Sequence, residues 1–155
     1  MKKVLLLIII AIIYQLTSLS SFGQGIVIAH LALLVLQEVF AICRLDKNFP
    51  IPDWALVGDF YSISRTQDEL SIVCLQVNVP KGIACDNGWR CLKVDGSLDF
   101  SLTGMIASLA TTLARAEISI VAVSTYDTDY LMVKDKDLER TILVLSQAGH
   151  EVHQA

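Results

Sequence analysis

Two short stretches of the chain gather side chains that can hold a zwitterion. The first, Ser97 to Gly104 (SLDFSLTG), leads into a helical pattern. Unpaired N–H groups and the positive end of the helix dipole at such a start suit a carboxylate. Ser101 and Thr103 can add hydroxyls, and Gly104 lets a ligand approach the backbone closely. The second stretch crowds Ser124, Thr125, Asp127, Thr128 and Asp129 into one turn. Asp127 or Asp129 can hold an α-amino group or a cationic side chain by a charge-assisted hydrogen bond. A carboxylate site and an ammonium site together make an amino-acid receptor. Each residue also has a purely structural explanation. Ser101 or Asp99 is a natural N-cap, and Asp127, Thr128 and Asp129 are ordinary turn residues. Tyr126 and Tyr130 suit either a core or a site wall.

Other chemistry finds little support. No G-x-G-x-x-G, P-loop or G-x-S-x-G motif occurs. His150 and His153 fall on opposite faces of a strand, which suits a solvated tail better than a metal site. Asp135 and Asp137 read as charges at a helix start. No nucleophile–base pair has credible spacing, so neither enzyme activity nor a cofactor is expected. The four cysteines, Cys43, Cys74, Cys85 and Cys91, form no C-x-x-C pair. Cys43, Cys74 and Cys91 sit in apolar strand patterns, as buried thiols do. A Cys85–Cys91 disulfide would require an oxidising compartment.

The elements that must position these residues run in order from Trp89. WRCLKVDG is a strand, with Trp89 and Cys91 inward. LTGMIASLATTLARAE is an amphipathic helix whose face carries Leu102, Met105, Ile106, Leu109 and Leu113. ISIVAVS is an apolar, β-branched run that suits a central strand. TYDTD turns the chain, YLMVK returns as a strand, and a second helix ends at Gly149. The order β-α-β-β-α-β is that of a ferredoxin-like domain. Upstream, Leu31–Leu36 and Val39–Leu45 read as two strands separated by Gln37-Glu38. Trp54–Val57 makes one helical turn. Phe60–Arg65 and Glu69–Leu75 make an antiparallel hairpin, and residues 77–88 are mostly loop. The expected class is α+β, with two ferredoxin-like halves packed side by side, the first with shortened helices. Their bounds are 31–88 and 89–155.

The chain has 155 residues, 54% of them hydrophobic, and a net charge of −4. That balance disfavours nucleic acid, which calls for a basic patch. Residues 1–30 stand apart. Lys2 and Lys3 precede ten apolar residues, Val4 to Ile13, then a polar stretch with Ser21 and Gly23. This reads as a signal peptide, an anchor within residues 1–25, or an extension before the true start. The run is short for a membrane span.

The segment from Cys91 to Val152 resembles the ACT domains of small tandem-ACT proteins, bacterial relatives of the CASTOR arginine sensors. FAICRLDKNFPIPDWALVGDFYSISRTQDELSIVC is similar to their divergent first half. PIPDWA, SRTQDELSIVC, GSLDFSLTG and STYDTDYLMVK are the most specific pieces. The resemblance spans about Leu31 to Val152 and omits the region before Leu31; such proteins usually begin near that strand. It implies a non-catalytic regulatory module that binds a small amino acid at an interface between two ACT units. The contacts would come from the first strand–helix loop and a facing strand of the partner. It further implies a homodimer, a regulated protein partner and cytoplasmic residence, against export or anchoring through residues 1–25. The alternative function is a ligand-free dimerisation module.

Overall fold

The computed structural model describes residues 30–95 and 104–154. The elements are β1 (Ala32–Leu45), β2 (Ser62–Arg65), β3 (Leu70–Leu75), β4 (Cys85–Val94), α1 (Met105–Arg115), β5 (Ile120–Ser124), β6 (Asp129–Lys134), α2 (Leu138–Gln147) and β7 (Glu151–Gln154). Short 3-10 turns cover Asp53–Leu56, Gln76–Asn78 and Asp135–Asp137. The fold is mixed α/β on one seven-stranded sheet, ordered β2-β3-β1-β4-β6-β5, with β7 added beside β1.

β1 is one strand, not the two expected. Its pairing with β4 shifts between Val35 and Val39, so Leu36–Glu38 form a bulge inside a continuous strand. β4 takes one edge of β1 on both sides of this bulge. The other edge is divided: β7 pairs in parallel with Ala32–Val35, and β3 pairs antiparallel with Phe40–Leu45. The expected boundary between residues 88 and 89 falls inside β4.

On one face of the sheet, Leu33, Val35, Leu92, Val94, Leu131 and Val133 pack against Leu109 and Leu113 of α1 and Leu138 and Leu145 of α2. The helical periodicity is fulfilled by Met105, Leu109 and Leu113, all buried, while Leu102 lies outside the described residues. Farther along the same face, Ala55 and Trp54 cover Cys43, Leu70, Ile72 and Cys74. The opposite face holds Phe40, Trp89, Cys91 and Met132 beneath Phe60. Phe60 meets Phe40 edge-on at 5.7 Å and stacks on Tyr130 at 4.2 Å. Tyr130 is therefore a packing residue, whereas Tyr126 is 80% exposed.

Among the described residues β5 pairs only with β6, so the IVAVS run is an edge strand there, not the central one expected. Its residues alternate between two cores. Ile120 packs on the helix side, and Val121 and Val123 pack on the opposite side. The continuous apolar run thus records contact on both faces, which an edge strand also has.

The C-terminus also differs from the solvated tail expected. His150 is 3% exposed. Its Nδ1 accepts the Leu31 N–H at 3.4 Å, and His30 Nδ1 lies 2.6 Å from the Gly149 carbonyl. Gly149, at φ +93°, holds a backbone conformation that other residues rarely adopt, and a Cβ there would lie 2.7 Å from His30 Cε1 and force that ring to move. Burial, and secondarily His30, lowers the pKa of His150 below its ordinary 6.5. The unfolded chain therefore binds a proton that the folded chain resists, and stability rises with pH across that window. The contribution is complete above about pH 6.5 and lost as pH falls below it. Urea midpoints measured between pH 5 and 7.5 should show this slope, and His150→Gln should flatten it. An identical slope in the variant would show that His150 is not its source.

Candidate functional site

The β5–β6 hairpin is a closed, self-bonded turn. Ser124 pairs with Asp129 across its base. The Thr125 N–H donates to the Thr128 carbonyl at 2.9 Å, and the Thr125 hydroxyl donates to the same oxygen at 2.9 Å. The Thr128 N–H returns a bond to Thr125 Oγ1 at 3.3 Å. Thr128 is buried, and its hydroxyl donates to the Val94 carbonyl at 2.6 Å. Val94 is the last residue of β4, and the next N–H, that of Asp95, donates to the Ala32 carbonyl at 2.8 Å. The hairpin and the exit of β4 are therefore tied together.

Of the candidate residues, Ser124, Thr125, Asp127, Thr128 and Asp129 come together in this hairpin. The hydroxyls of Thr125 and Thr128 are engaged within the protein. Asp127 is exposed and Asp129 half-buried. Among the described residues, neither carboxylate has a hydrogen-bond or ion-pair partner. Ser101 and Thr103 lie outside the described residues. Gly104 stands at the start of α1, at φ +88°, and a Cβ there would meet nothing within 4 Å. It is also the N-cap: the Ser108 N–H donates to its carbonyl at 2.8 Å, and among the described residues no side chain caps the helix. Asp99 and Ser101, the caps expected, lie outside the described residues, and the left-handed backbone of Gly104 favours glycine.

Several other charged groups make contacts within the structure. Asp135 pairs with Arg90 at 3.2 Å. Lys134 reaches Asp86 at 2.5 Å and lies 4.2 Å from the centre of the Trp89 ring. The Arg65 guanidinium donates to the carbonyls of Lys47 and Phe49, bracing the proline-containing loop. Among the described residues, no group of three or more His, Cys, Asp or Glu could hold a metal ion. No described helix is long and apolar enough to cross a membrane. A small groove of about 210 Å³ opens beside the β1 bulge, lined by Leu36, Glu38, Phe40, Asp59, Phe60 and Leu75. It went unread in the sequence because it depends on a bulge between distant strands. The one local trace of it is the polar pair Gln37-Glu38 inside an apolar run.

The ACT-domain family model matches residues 84–147, and a second model, described as an N-terminal domain, matches residues 38–82. Among solved structures, protein Atu0741 from Agrobacterium tumefaciens is 41% identical, with a TM-score of 0.79 over 82% of this chain and 95% of that one. A protein of unknown function from Vibrio cholerae, VC0802, described as a possible transport protein, is 15% identical. Its TM-score is 0.64, covering 77% of this chain and 90% of that one. The ligand-free regulatory subunit of aspartate kinase from Thermus thermophilus is 11% identical, with a TM-score of 0.55 over 77% of this chain and 99% of that one. At such identity the last two report a shared fold. No curated protein matches the chain.

Thr128→Val should test the tie between hairpin and β4. It keeps the shape but withdraws the hydroxyl from a buried carbonyl, which costs about 1–3 kcal/mol. Chemical denaturation should register that loss. An unchanged midpoint would mean that the hairpin is held by its own turn alone.

Proposed function

The chain belongs to the same family as Atu0741 and carries an ACT domain, and from that premise we propose that it is a non-catalytic regulatory module binding a small amino acid. The observation that carries this reading is the hairpin, whose two carboxylates, without a partner among the described residues, stand beside the exit of β4. In this reading Asp127 or Asp129 takes the ammonium group. The start of α1, with Ser101, Thr103 and Gly104, takes the carboxylate. Ser124, Thr125 and Thr128 shape the turn between them. Binding occurs at an ACT–ACT interface in a homodimer and is signalled through conformation or association to a protein partner.

The division into ACT-like halves, 31–88 and 89–155, belongs to the same proposal, as does kinship with the CASTOR arginine sensors. The 3-10 turns Asp53–Leu56 and Gln76–Asn78 stand where the helices of a first half would be. Cytoplasmic residence is assigned on the family resemblance. A ligand-free dimerisation module is the second reading, favoured by the internal use of both threonine hydroxyls.

Titration calorimetry of the full chain against the common amino acids tests the proposal. One amino acid, or a few related ones, should bind. Hydrogen bonds to charged groups contribute about 1.5–3 kcal/mol, so Asp127→Ala or Asp129→Ala should weaken binding by about 10- to 150-fold. The exposed position of Asp127 predicts little change in melting temperature. Normal binding by both variants would place the site elsewhere, and no binding by the wild type would favour the ligand-free module.

A further inference from the structure

Three of the cysteines converge on one side of the sheet, an arrangement that the strand register explains. Cys43 on β1 lies directly opposite Cys85 on β4. Cys74 on β3 pairs with Ala41, two residues along from Cys43. All three belong to the same apolar cluster, and the Cys85 thiol donates to Asn87 Oδ1 at 3.5 Å. Simple alternation along β4 would place Cys85 on the same side as Trp89 and Cys91. A one-residue register slip between Asp86 and Trp89 reverses it. Gly88, at φ +74°, permits that slip, and its N–H donates to Gln76 Oε1 at 2.7 Å. Lys134 secures it further by donating to the Asn87 carbonyl at 2.8 Å. Cys85 and Cys91, by contrast, lie six residues apart on one strand, a span of about 20 Å that no disulfide bridges.

We propose that Cys43 and Cys85 are a redox-modification site that closes to a disulfide. The Arg44 N–H donates to the Ala84 carbonyl at 2.9 Å, so the neighbouring pair 43/85 occupies a non-hydrogen-bonded position of the ladder. Cα atoms at such positions are about 4.5 Å apart, inside the disulfide range of about 4.4–6.8 Å. A diagonal pair such as Cys43 and Cys74 is about 7–8 Å apart, beyond that range. The two thiols also differ in access. Cys43 is 1% exposed, and Cys85 is half-buried. Burial, reinforced by the neighbouring sulfurs, pushes the Cys43 thiol up to about 12. Cys85 is therefore the thiol that meets the oxidant, and Cys43 the one that resolves it.

With a peroxide as oxidant the step balances. The Cys85 sulfur attacks a peroxide oxygen, the O–O bond breaks, and Cys85 becomes a sulfenic acid with release of water. The Cys43 sulfur then attacks the Cys85 sulfur, the S–O bond breaks, and the departing hydroxide leaves as water with the Cys43 proton. Two thiols lose two electrons in total, and one peroxide becomes two waters. The bridge covalently joins β1 to β4 on the sheet face covered by Ala55 and Trp54.

The test treats the native full chain with hydrogen peroxide, alkylates it in denaturant, and locates disulfides by intact mass and peptide mapping. Two of the four cysteines should resist alkylation, in one cross-linked peptide containing Cys43 and Cys85. Dithiothreitol should restore them. Cys74→Ser and Cys91→Ser should form the bridge like the wild type, and Cys85→Ser should form none. The proposal is overturned if all four thiols remain, if Cys85 stops at a sulfinic acid, or if Cys43 bridges to Cys74.

Discussion

The divided edge of β1 is the constraint on which the rest depends. A strand has two edges, and β1 serves three partners with them. The bulge at Leu36–Glu38, on the edge facing β4, lies at the point where the other edge passes from one partner to the next. It separates the segment that accepts β7 from the segment that accepts β3. The last strand of the chain is thereby joined to the first, and α2 is brought over the same sheet face as α1. Leu33 and Val35 before the bulge and Ala41 and Cys43 after it face the same side, because two extra residues preserve the alternation. The sheet is continuous, and the N-terminal and C-terminal portions of the ACT-like arrangement share strands.

The C-terminal elements were legible because their patterns are local. Met105, Leu109 and Leu113 mark one helix face, and β6 and α2 fall where period and punctuation place them, whereas β4 begins at Cys85, inside the stretch expected as loop. Features set by distant partners were not legible. Gln37 and Glu38 look like a break between strands, and only pairing with β4 shows a bulge. Asn87-Gly88 reads as a loop, though it reverses the side on which Cys85 lies. The β5 run reports two apolar faces and says nothing of which edge it occupies. His150 looks like a tail residue until Leu31 and His30 close over it.

The candidate site divides in the same way. Turn-forming residues announce the hairpin at Thr125–Thr128, and the expectation that they are turn residues holds. The threonines hold the turn, and the aspartates remain available. The anchor between Thr128 and Val94 joins residues 34 apart, and no local pattern encodes it. That anchor holds the hairpin, and with it the two carboxylates, beside the exit of β4. The strand-to-helix connection begins there.

Hydrogen–deuterium exchange of the full chain, with and without each common amino acid, tests the central claim most directly. Amides made slower to open by a bound ligand become protected where the ligand sits. The proposed site predicts that one amino acid, or a few related ones, slows exchange selectively at Ser124–Asp129 and at Val94–Asp95. Unchanged exchange with every amino acid, or protection confined to the groove beside Leu36–Glu38, would contradict it.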